Sequence, residues 1–208
     1  MPDVHAIDEF AVFESATPSI VRSIKQRDLL NTWLRLYARA QQTPQIADYH
    51  PERMSDELLE LALFAVDHAV SPPRLIFERE SMRMAAALGH ASNGRVLDDY
   101  LGPQMAAIVM PVYYECISRA LPVYTIFAFE DVHGRKVDYE RLLLPFADGQ
   151  HVDHIIASHK NISEDGNFEI NNLMRVESLP APQLLAVIDR DLVLRLPGRG
   201  SAQDISFD

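Results

Sequence analysis

At 208 residues, with 48% hydrophobic and 24% charged side chains, the chain suits one globular domain with extensions and a real core. Its formal net charge of −11 argues against attraction to phosphate backbones or anionic lipid, so no nucleic-acid partner is expected. The single cysteine, Cys116, rules out an intrachain disulfide and fits a reducing compartment. The start "MPDVHAIDEF" has no apolar signal run, and "LLELALFAV" and "MAAIVMPVYY" are too short to span a bilayer. A cytoplasmic location with no membrane span is the expectation.

Residues 1–16 lack periodicity and read as an N-terminal arm. In "ATPSIV", Thr17 suits a helix N-cap and Pro18 the first helical position, so an amphipathic helix is predicted over residues 17–43, ending near Gln42 before Thr43-Pro44. Its apolar residues form two stripes, Leu29-Trp33-Leu36-Ala40 and Leu30-Leu34-Tyr37. Together they cover a wider face than one core contact needs. The segment from Asp56 to Ala69 fits either a helix capped by Ser55 or a buried strand. "RLIFERESM" alternates as a strand, "RMAAALGH" reads as one or two helical turns, and "NGRVLDDYLG" as a turn into a short helix. From Pro103 to Leu121 the spacing is helical, with Met105, Val109, Val112 and Cys116 on one side and Pro111 expected to kink or break it.

"PVYTIFAFE", "VDYERLLLPF" and "VDHIIASHKNI" follow, joined by the turns "DVHGRK" and "ADGQ", and predict a three-stranded antiparallel meander. Pro145 cannot donate to a ladder, so it belongs where its strand leaves the pairing or faces an edge, and closes that strand. Residues 164–208 shift in composition and read as a C-terminal extension, with "LLAVIDRDLVLRL" as a small hairpin turning at Asp189-Arg190.

The helix "LLNTWLRLYARA", the turn "GRVLDDYLG", and the strand "YERLLLPF" followed by a turn and "VDHIIAS" resemble a bacterial PAS-like family over roughly Arg27 to Ile162. The run from Glu140 to Pro145 is the most specific part. The resemblance implies an α+β fold: a five-stranded antiparallel sheet with helices on one face, here over residues 44–163, plus the N-terminal helix and the C-terminal extension. It also implies a sensory or regulatory role in signal transduction through protein–protein interaction, without catalysis, and it carries over no catalytic residue.

His151 and His154 differ by an odd number, as do His154 and His159, so each pair points to opposite faces of a strand. His151 and His159 share a face but lie roughly 26 Å apart at ~3.3 Å per residue. No metal site is expected there, and solvated or edge histidines are the plainer reading. Haem ligation would need a histidine on the long helix, which has none; His90 lies just before it. Cys116, in "YYECISRA", lacks the setting of a flavin-photochemistry cysteine and reads as a small buried hydrophobe. Arg141 falls in register with Val137, Tyr139 and Leu143. It reads first as half of a partly buried ion pair and second as a reader of an anionic ligand. Asp98-Asp99 reads as the solvated start of a short helix.

The function expected on these grounds is a non-catalytic PAS-type sensor or regulator, with an unknown cofactor and a small-molecule ligand or signalling protein as partner. The alternatives are a small α+β enzyme with a pocket between helices and sheet, or a structural scaffold. The pocket candidates are Met84, Leu88, Val109, Phe127 and Arg141. With Trp33 docked on its own domain, the stripe Leu30, Leu34 and Tyr37 is assigned to a homodimer interface.

Overall fold

The computed structural model describes residues 12–51, 60–82, 85, 93–130, 134, 136–163 and 179–189. Their frame is one sheet, built from β1 (Glu14–Ala16), β2 (Leu61–Asp67), β3 (Arg74–Arg79), β4 (Val123–Glu130), β5 (Lys136–Ala147), β6 (Val152–Ser163) and β7 (Ala181–Ile188). The helices are α1 (Ile24–Ala40) and α2 (Leu97–Arg119). The strands run in the order β1-β7-β4-β5-β6-β2-β3. Every neighbouring pair is antiparallel except β1 and β7, which are parallel.

This corrects the expected five-stranded antiparallel sheet: seven strands pair, and the sheet is mixed. The two additional strands come from the segments read as arm and extension. In β7, Ala186, Val187 and Ile188 are all buried, so consecutive side chains need cover on both faces. A place inside the sheet supplies it. Pro182 stands beyond the stretch of β7 that pairs with β1, where among the described residues only β4 lies alongside.

The helices also lie on both faces, not one. On one face α1 packs Leu29, Leu30, Trp33 and Tyr37 against Tyr124, Ile126, Leu142, Leu144, Phe146 and Ile156. On the other α2 packs Val109, Val112, Tyr113 and Cys116 against Val123, Phe127, Leu143, Ile155 and Ala157. The alternation of β5 assigns its residues: Leu142, Leu144 and Phe146 face α1, while Leu143, and with it Arg141 and Tyr139, face α2.

The start of α1 differs from expectation. Pro18–Ile20 form a single 3-10 turn, and the hydroxyl of Thr17 bonds that of Ser19 instead of capping a helix. Ser23 is the cap, its Oγ accepting from the Gln26 N–H at 3.4 Å. Both apolar stripes of α1 are used at home: Leu30 and Tyr37 are buried beside Trp33, and Leu34 packs at the rim of the same cluster. The assignment of Leu30, Leu34 and Tyr37 to a second copy therefore loses its premise, an exposed stripe.

In α2 the break falls at Gly102 (φ 71, ψ 165), a conformation that glycine adopts readily, and the helix continues through Pro111. Pro145 does not end β5, which runs on to Ala147. The ladder to β4 stops at Leu143, so Pro145 sits where that side of β5 has no strand, and its carbonyl accepts the Trp33 indole N–H at 2.7 Å. The region left open between helix and strand is β2. "RMAAALGH", apart from Ala85, and the Asp189-Arg190 turn lie outside the described residues.

Candidate functional site

The α2 face of the sheet carries an unusual polar row. Register sets Thr125 of β4, Arg141 of β5 and His159 of β6 side by side. Next to it run Phe127, Tyr139 and Asn161. Arg141 is 6% exposed, and its guanidinium carbon lies 5.3 Å from the ring centre of Tyr139, 5.7 Å from Tyr113 and 6.0 Å from Phe127. Rings at that distance attract a cation and offset part of the cost of burying it. The Tyr139 hydroxyl also takes a hydrogen bond from the guanidinium, yet two of its nitrogens stay unmet. Nε and Nη1 of Arg141 have no hydrogen-bond partner among the described residues, nor do Oγ1 of Thr125, Nδ1 of His159 and Oδ1 of Asn161.

Above the row lies a cavity. Arg141, Tyr139 and His159 form its floor; Val109, Tyr113, Leu97, Tyr100 and Leu101 of α2 roof it; Ala62, Phe64, Phe77, Glu80 and Ser81 close the side. It leaves about 40 Å³ open to the centres of water-sized molecules. This is room for a few waters, so it suits a ligand of a few atoms. A flavin or haem ring would need the walls to move.

Burial shapes the titration of these groups. It pushes the His159 imidazole down to about 3, with the Arg141 charge adding to the effect, so the ring is neutral at pH 7. The same desolvation raises Tyr113 and Tyr139, against the opposing pull of Arg141. Tyr100 is raised by burial and by Glu80, whose Oε1 accepts its hydroxyl at 3.4 Å. The Cys116 thiol is also raised by burial, and the side chain is fully buried as a small hydrophobe.

Of the sequence candidates, Val109 and Arg141 line the cavity. Phe127 is buried on the same face and touches the site through Arg141. Met84 and Leu88 lie outside the described residues, as does His90. The expected ion pair of Arg141 is replaced by aromatic contacts, because the cross-strand neighbours on its face are Thr125 and His159 and neither is acidic. His159 is half-buried, one residue past the end of the β2 ladder, and stacks on Tyr139, ring centres 5.4 Å apart. Register with Arg141 across the second hairpin was the signal that could have found it.

The remaining histidines sit apart from the cavity. His154 meets Glu78 at 3.5 Å and Asp153 at 3.1 Å. His151 is exposed, outside β6, with its ring 5.6 Å from that of His68. Among the described residues no three His, Cys, Asp or Glu side chains cluster to hold a metal ion. Asp98 and Asp99 fall in the first turn of α2, where carboxylates favour the helix dipole. On the opposite face Glu140 is fully buried under α1, its carboxyl pushed up by desolvation while Tyr124 and Arg22 pull it down. No helix of the described chain is long and apolar enough to cross a membrane.

No family model and no curated protein matches the chain. Among solved structures it is similar to one concerned with a flavin analogue and the mechanism of light-oxygen-voltage domains, at 14% identity and a TM-score of 0.39, over 55% of this chain and 84% of that one. A likeness of that size assigns neither fold nor ligand.

Proposed function

We propose that the protein is a non-catalytic PAS-type sensory or regulatory domain that takes up a small ligand between α2 and the sheet and acts through a protein partner. The observation that carries this reading is Arg141, buried over a cavity with two N–H donors unpartnered among the described residues. A buried guanidinium left that way is costly, and groups of this kind concentrate at functional sites. The titration of the lining supports a role without catalysis. A general acid or base works best with its pKa near the working pH. Here His159 is held far below neutrality, while Tyr100, Tyr113 and Tyr139 are pushed up. The ligand would sit on β5, whose alternate residues Leu142 and Leu144 hold α1 on the far face, so a shift of that strand has a route to the other surface.

Native mass spectrometry of freshly purified protein, with a thermal-shift screen of small metabolites, tests the reading. A co-purified mass or a dose-dependent rise in Tm is expected. A chain that no small molecule stabilises is a scaffold.

A further inference from the structure

The chemistry of the cavity wall narrows the ligand class. We propose that it binds a short-chain monocarboxylate, with the carboxylate on the Arg141 guanidinium and the alkyl tail among Phe64, Phe77, Leu97 and Val109. This rests on the cavity being a ligand site.

The head group follows from what Arg141 lacks. Ring contacts act on its charge and give Nε and Nη1 no acceptor. No carboxylate of the described residues forms an ion pair with it. A carboxylate supplies counter-charge and planar acceptors together, the combination for which a guanidinium is suited. Neutral His159 beside it can donate a further N–H without adding charge.

The tail follows from the apolar part of the wall, to which Glu80, Ser81 and Tyr100 add polar atoms. Ala62, Phe64, Phe77, Leu97 and Val109 offer no polar side-chain atom. A space of that size favours a chain as short as that of acetate or propionate.

Isothermal titration of the full chain in chloride-poor buffer compares propionate with propionamide, its neutral counterpart of the same shape. Saturable binding of propionate is expected, with propionamide about ten- to a hundredfold weaker, the range for a lost charge-assisted hydrogen-bond pair. Arg141→Met should weaken propionate by a similar factor and Arg141→Lys by less. If both variants fail to fold, the wild-type comparison decides alone. Equal binding of propionate and propionamide overturns the carboxylate assignment and leaves the cavity a ligand site. Alanine binding as tightly as propionate overturns the apolar tail. No binding by acetate, propionate, butyrate or propionamide overturns this assignment, while the reading of the cavity as a ligand site is decided separately by the co-purified mass and the metabolite screen.

Discussion

Replacing Trp33 with phenylalanine keeps most of the ring and removes one donor, which makes it a sharp probe of how α1 is fixed to the sheet. The indole is fully buried, stacks on Tyr37 with ring centres 5.4 Å apart, and donates to the Pro145 carbonyl at 2.7 Å. That carbonyl lies beyond the end of the β4 ladder, so no strand stands ready to replace the indole. A buried acceptor left unmet costs about 1–3 kcal/mol. The smaller ring adds about 1 kcal/mol in lost apolar burial. Trp33→Phe should therefore cost about 2–4 kcal/mol, and Trp33→Ala about 3–5 kcal/mol. Against a typical domain stability of about 5–15 kcal/mol, both are measurable by urea unfolding followed by circular dichroism. A Trp33→Phe protein within about 0.5 kcal/mol of wild type would refute the Pro145 anchor.

Three further outcomes are expected. Because the folded-state pKa of His159 lies below its ordinary value of 6.5, its contribution is complete above pH 6.5 and is lost as pH falls toward about 3, at up to about 1.4 kcal/mol per pH unit. The acid limb of a stability–pH curve should be shallower in His159→Gln, and parallel curves would contradict this. Glu140 has the opposite sign: its raised pKa gives stability below the ordinary value of 4.5 that is lost as pH rises through the folded-state value. Glu140→Gln should raise Tm at pH 7 with a gain that shrinks toward pH 4, and a gain independent of pH would count against a buried carboxylate. Leu30, Leu144 and Ile156 meet in one cluster, so Leu144→Ala or Ile156→Ala should cost about 2–5 kcal/mol. Leu30→Asp should unfold the chain; analytical ultracentrifugation finding a folded monomer from a wild-type dimer would return α1 to the interface.

The meander was legible because β-branched and aromatic residues fill it on both sides, a local signal. Arg141 was placed on its face by the alternation of β5 alone. Its surroundings were not, since Thr125, His159 and Tyr113 reach it from three other elements. β1 and β7 were hidden for a related reason. Glu14–Ala16 is too short to show a period, and it pairs with a segment that Pro180 and Pro182 make look like a linker. Their pairing spans most of the chain. Thr17-Pro18 offered a sound helix start in the wrong place, because a single turn satisfies the same residues.

The central claim is that Nε and Nη1 of Arg141 wait for an acceptor that the described residues do not supply. A crystal structure grown with propionate addresses it directly. The expected result is a carboxylate oxygen within about 3.2 Å of an Arg141 nitrogen, above the Tyr139 ring. Arg141 ion-paired to a carboxylate of its own chain, with the cavity closed by side chains, would contradict it.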